Sequence, residues 1–168
     1  SYKTVIRNYP TSEEARVASD DLKRLMADEG RLSEFSSFIA AVPNAPKFET
    51  SELDALTFQA AERAYLNDKS KTTRLKDYIS QYPGGRYETQ ALTYLSQSAL
   101  ESGNPAEALK YATQLTERYP DSEAAEDALA IKGNVEYDLG NGEAALATFR
   151  KLESRASASR NIVTARLG

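Results

Sequence analysis

The sequence predicts an all-α protein, a right-handed α-α superhelix of about four helix pairs with a partial repeat at each end. Three observations carry this: the chain matches itself at a fixed offset, a proline closes each repeating stretch, and apolar residues between the prolines recur at helical spacing. A shift of 37 residues pairs Tyr82 with Tyr119, Pro83 with Pro120, Ala91 with Ala128, Leu92 with Leu129, Gly103 with Gly140 and Asn104 with Asn141. It also pairs Ala108 with Ala145, Leu109 with Leu146 and Leu115 with Leu152. Average composition supplies roughly two or three such identities over that length by chance, and a fixed period of this size is the mark of a solenoid. The ten residues from Tyr9 to Ala18 recur at six positions 110 residues later, in Tyr119 to Ala128. That distance is close to three periods, so two more junctions are due between them. Val42-Pro43 and Tyr82-Pro83 supply these, at proline spacings of 33, 40 and 37.

Each element follows in order. Aligning Tyr9-Pro10 on Tyr119-Pro120 puts Ser1 to Asn8 on the last turns of a second helix, and a first helix near 11–28 comes next. Gly30 is the only breaker before a second helix near 31–41. Pro43-Asn44-Ala45-Pro46 predicts a rigid extended junction, because each proline pushes the residue before it toward extended backbone. Helices near 51–66 and 69–81 follow, separated by Asn67-Asp68 with no glycine. In the clearest unit, near 85–101, Tyr87, Ala91, Leu95 and Ala99 recur at four-residue steps, and Leu92 and Leu100 widen the apolar stripe, which is a helical period. Gly103 can take the left-handed conformation that closes this helix, and Pro105 suits the first turn of the next. Ala108, Leu109, Ala112 and Leu115 form the buried face of a helix near 105–118, which Tyr119-Pro120 stops. Asp121 or Ser122 caps a first helix near 121–138, where Glu123 meets the positive end of the helix dipole. The last second helix runs near 142–153, and Ala158, Ile162, Val163 and Ala165 open a further first helix. The repeats are therefore 11–43, 44–83, 84–120 and 121–156, flanked by 1–10 and 157–168. A chain that begins and stops within a repeat is expected to be a segment of a longer array, with any signal or lipid anchor upstream. Val5, Ile162 and Val163 are then apolar groups that a neighbouring helix would cover. Ala91, Ala108, Ala128 and Ala145 are expected where paired helices approach closely.

Composition narrows the chemistry. The chain has no cysteine, histidine or tryptophan, which removes disulfides, thiolate and imidazole catalysis and nearly every zinc or haem site, and no cofactor is expected. The net charge of −4, from 21 basic and 25 acidic residues, is spread without blocks of like sign, which argues against nucleic acid or an anionic membrane as the main partner. No apolar run is long enough to enter a bilayer as a span. Carboxylate pairs such as Glu123 with Glu126-Asp127, or Asp20-Asp21 with Asp28-Glu29, have the residue type of a glycosidase site, but sit at helix starts and on solvated faces where acids are ordinary. Tyr78, Tyr82, Tyr111 and Tyr119 stand at repeat-linked positions beside the prolines, which makes them packing residues. Gly84-Gly85 lacks the spacing and lysine of a phosphate loop and reads as a junction turn. Arg150, Lys151 and Arg155 form a small basic cluster, read as a solvated face.

The Gly103-Asn104 turn followed by Ala108, Leu109 and Tyr119-Pro120, repeated as Gly140-Asn141, Ala145, Leu146 and Phe149, resembles the tetratricopeptide repeat, whose consensus period is 34 residues. The longer spacing and the Tyr-Pro-x-Ser-x-x-Ala-x-x-Ala junction resemble the variant of Gram-negative periplasmic and outer-membrane lipoproteins, the β-barrel assembly lipoprotein and the Tol-Pal-associated cell-division coordinator among them. The resemblance implies a non-catalytic protein-binding scaffold, periplasmic or associated with the outer membrane, with the cytoplasm still open; the alternative is an accessory solenoid domain that orients the substrate of a larger enzyme. It also implies that first helices line a concave face. The residues pointing there are Gln90, Thr93, Gln97 and Glu101, then Asp127, Asn134, Tyr137 and Asp138. This face is polar and mildly acidic, so the expected partner is a protein or peptide segment bearing lysine or arginine, with Tyr137 packing on it. The lysine and asparagine clamp by which related cochaperones hold a C-terminal carboxylate is absent: its positions carry Thr93, Gln97, Ala130 and Asn134, and only Asn134 is of the right type.

Overall fold

The computed structural model describes the backbone of residues 1–167 and the side chains of residues 1–158. Among the described residues it is all helix: α1 (Tyr2–Asn8), α2 (Glu13–Asp28), α3 (Leu32–Ala41), α4 (Thr50–Asn67), α5 (Thr73–Gln81), α6 (Glu88–Glu101), α7 (Pro105–Arg118), α8 (Glu123–Asp138) and α9 (Gly142–Leu167). Helices α2 to α9 form the four expected successive pairs, and α1 is the fragment ahead of them. The chain divides into two compact units, Ser1–Tyr87 and Glu88–Gly168.

Local chemistry sets the helix ends. Three first helices close in one way: Gly30, Gly103 and Gly140 sit at φ +73, +77 and +82. The following N–H then reaches back to the helix, Arg31 to the Met26 carbonyl at 2.7 Å, Asn104 to Ala99 at 2.8 Å and Asn141 to Glu136 at 2.8 Å. This is the double closure for which glycine's missing Cβ is suited. The α4–α5 turn, which lacks glycine, uses a side chain instead. The Asp68 carboxylate accepts from the Ser70 N–H at 3.0 Å and the Ser70 hydroxyl at 2.7 Å, an Asx turn that delays α5 to Thr73. Second helices end alike at Tyr9, Tyr82 and Tyr119, whose N–H groups each donate four residues back at 2.9 Å. Their backbones are alike, at φ −135, −123 and −132.

Two expectations about boundaries are corrected. Val42 to Ala45 is a tight turn and not an extended junction: Ala45 N–H donates to the Val42 carbonyl at 3.3 Å, and Asn44 sits at φ +62, a conformation asparagine tolerates better than most residues. The helix end placed near 153 is not there, because α9 continues to Leu167. No glycine or proline lies between Lys151 and Ala158 to stop it. Of the apolar residues expected to be uncovered, Val5 is half-buried against the core of the first unit, and Ile162 and Val163 lie outside the residues whose side chains are described.

In the first unit α1 packs on α2, α2 on α3 and α4, and α4 on α5. Its core joins Ile6, Leu22, Met26, Leu32, Phe35 and Ile39. In the second unit α6 packs on α7, α7 on α8 and α8 on α9, and α6 also touches α8. Here alanines hold the close approaches: Ala91, Ala108, Ala128 and Ala145 are all at most 2% exposed. Leu100, expected in the buried stripe of α6, is 41% exposed, and Leu109 is half-buried beside Ala99, Ala108 and Val135.

Candidate functional site

Helices α6 and α8 of the second unit position the residues singled out for binding. On α6 the buried set is Glu88, Ala91, Leu92, Leu95, Ser96 and Ala99. Gln90, Gln97 and Glu101 lie between these on the exposed surface. Positions three, four and seven residues apart share one side of a helix, so Gln90, Thr93, Gln97 and Glu101 form a single stripe. Thr93 departs from the expectation: it is half-buried, and its hydroxyl donates to the Thr89 carbonyl at 2.8 Å, so its donor is turned onto its own helix. On α8, Asp127, Asn134 and Asp138 share the corresponding stripe with Tyr137 beside them, and all four are exposed. Tyr137 is 70% exposed, the largest value among the exposed large apolar and aromatic side chains.

Apart from Thr93, the polar groups of this surface are uncommitted. Among the described residues Glu101, Asp127 and Asp138 enter no ion pair, and Gln90, Gln97 and Asn134 make no side-chain hydrogen bond. Most acids of the other clusters are engaged, Glu126 with Arg155 at 3.3 Å, Asp28 with Arg63 at 2.7 Å, Asp20 with Lys23 at 3.3 Å and Glu29 with Arg31 at 2.9 Å, while Asp21 and Glu123 enter no ion pair among the described residues. Sequence reasoning missed Leu100. It stands 37 residues before Tyr137 and shares its exposed position at the end of a first helix, so the repeat offset held the signal, which the reading of an apolar stripe overrode. Leu100 and Tyr137 give this polar surface two apolar anchors.

Beneath the surface, buried polar groups fix the helices. Glu88, 1% exposed, opens α6 and accepts from the Arg118 guanidinium and from the Tyr119 hydroxyl, both at the end of α7. Burial first, then the hydrogen bond to Glu88 and its negative charge, push the Tyr119 hydroxyl up to about 12. Glu136, also buried, accepts from the Thr148 hydroxyl at 2.6 Å and ties α8 to α9. With both carboxylates held, the stripes on α6 and α8 stand on braced helices, and preorganised surfaces bind at lower entropic cost.

Residues 90–122 match the tetratricopeptide repeat family, a span that takes in most of α6, all of α7 and the Tyr119-Pro120 junction. Repeats of this family generally mediate protein–protein interaction and are in general non-catalytic. No curated protein matches the chain. No helix among the described residues is long and apolar enough to cross a membrane.

Proposed function

We propose that the chain is a non-catalytic scaffold of the bacterial cell envelope, periplasmic or associated with the outer membrane, and that the α6–α8 surface docks a protein segment bearing lysine or arginine. The observation that carries the docking surface is the pairing of uncommitted carboxylates with exposed anchors: Glu101, Asp127 and Asp138 beside Leu100 and Tyr137. A cationic side chain of the partner pairs with the acids, and its aliphatic stem packs on Tyr137 and Leu100. Opposite charge then contributes orientation and association rate, and the anchors contribute most of the affinity. The envelope assignment rests on the Tyr-Pro-x-Ser junction style alone.

The test is fluorescence anisotropy with labelled peptides that carry lysine and arginine among apolar residues, first on the parent and then on variants. Tyr137→Ala is expected to weaken binding by about 1–2 kcal/mol, roughly tenfold. The Glu101→Gln, Asp138→Asn double variant should bind about as weakly and lose much of the salt dependence. Lys110→Ala, on α7, serves as the control. Undiminished binding by the first two variants together with loss in the control would remove this surface from consideration.

A further inference from the structure

We propose that a second groove, between α7, α8 and α9, binds an acidic peptide segment. It has a volume of about 660 Å³ and is lined by Thr116 and Glu117 of α7, Leu129 and Lys132 of α8, and Arg150, Lys151 and Arg155 of α9 among others, a size in the range of ligand sites. Four cations therefore line it against one carboxylate, in a chain whose net charge is −4. A concave surface predominantly of one sign over apolar walls concentrates the field on what enters it.

Its cations are unequal. Arg155 belongs to the fold: its guanidinium donates to the carbonyls of Pro120 and Ser122 and pairs with Glu126 at 3.3 Å. Arg150 and Lys151 are exposed and make no ion pair among the described residues. Lys132 is the informative one. Its side chain is only 23% exposed, and its one ion-pair partner among the described residues, Glu136, is 4.0 Å away and already accepts from Thr148. A half-buried lysine so weakly paired gains from a carboxylate brought by a ligand.

The repeat supplies an independent reason to separate these charges from the fold. The positions 37 residues earlier carry Leu95 for Lys132, Thr113 for Arg150 and Gln114 for Lys151, whereas Arg118 precedes Arg155 unchanged. The arginine that holds a junction recurs, and the other three cations of the groove lining do not. Leu95 is 2% exposed, so at this position the architecture accepts a leucine, and Lys132 places a charge where packing needs none. The groove lining holds no aromatic ring on which bases stack, which favours a peptide over a nucleic acid.

This proposal shares only α8 with the α6–α8 surface, uses different residues of that helix and has the opposite charge, so either can fail alone. The probe is a labelled peptide of aspartate and glutamate around a central leucine, followed by anisotropy on the full chain, with the amide counterpart of the peptide as control. Expected are binding by the acidic peptide and not by the amide, and weakening on the order of tenfold in Lys132→Leu and in the Arg150→Thr, Lys151→Gln double variant. Each variant installs what the preceding repeat carries, and circular dichroism verifies the fold. Glu101→Gln, Asp138→Asn should bind the acidic probe as the parent does. Equal binding of acid and amide peptides, parent-like binding by both groove variants, or tighter binding of oligothymidine or anionic phospholipid vesicles would each overturn the proposal. So would self-association of the parent that these variants abolish, which would assign the groove to a second copy.

Discussion

At the Tyr82-Pro83 junction of the first unit the end of α5 is held by rings and an aspartate. Phe58 stacks on Tyr87 at 4.8 Å and lies 5.4 Å from Tyr78. Asp54 accepts from the Tyr78 hydroxyl and, at 3.0 Å, from the Arg86 N–H, while Tyr87 N–H donates to the same hydroxyl at 3.0 Å. At the Tyr119-Pro120 junction of the second unit the same backbone turn is held by Glu88, Arg118 and Tyr119. In each case a buried carboxylate on the first helix of a pair secures the end of the second. The aromatic solution is local to the first unit, which holds four of the five phenylalanines. The second unit relies on alanine contacts. Repetition therefore acts on the backbone, and each junction solves its buried polar chemistry separately, since a buried donor or acceptor must find a partner wherever it falls.

The largest expected effect tests whether both units rest on comparable cores. Leu75 and Leu92 are fully buried, one in each unit, so Leu75→Ala and Leu92→Ala should each cost about 2–5 kcal/mol in urea unfolding. Leu109→Ala, at a half-buried site, should cost less than either. Equal losses at Leu92 and Leu109 would contradict the difference in burial.

A sharper test compares two glycines. A Cβ at Gly85 would lie 2.7 Å from the Tyr78 hydroxyl and 2.8 Å from the Tyr82 carbonyl, and backbone cannot step aside, so Gly85→Ala should cost about 1–3 kcal/mol. At Gly133 the obstacle is the Phe149 ring, 2.6 Å away but 36% exposed and able to rotate outward. Alanine also favours the helix by about 1 kcal/mol over glycine. Gly133→Ala should therefore be near neutral, and a thermal melt with a loss as large as that of Gly85→Ala would show that Phe149 is not free to move.

The smallest effect separates the two junctions by pH. The protonated Tyr119 hydroxyl is favoured in the folded chain, so its contribution is full below the ordinary tyrosine value near 10 and is lost as pH rises toward about 12. Urea midpoints should fall over that interval more steeply in the parent than in Tyr119→Phe. Identical pH profiles would mean that the Glu88 contact does not hold the hydroxyl.

Sequence alone determined the helices, their pairing and most of their ends. These depend on residues close in the chain: glycine at positive φ, proline that forbids a helical residue before it, and apolar groups at helical spacing. It also placed the exposed acids of α6 and α8, because a stripe follows from the helical period once the buried side is known. Where a local signal was weak, as at Asn44 or after Leu152, the boundary was misread. What only the tertiary structure decided were the relations between residues far apart in sequence. Asp54 and Glu88 stand 34 residues apart while their junction prolines stand 37 apart, because α5 is shorter than α7, so the offset that aligns the prolines does not align the two carboxylates. Leu100 and Leu109 are the same residue type on predicted apolar faces, and only the packing of neighbouring helices left one exposed and half-covered the other. Lys132, Arg150 and Lys151 converge on one groove because α8 and α9 pack against α7, an outcome of burying apolar area between helices that composition and charge pattern do not encode.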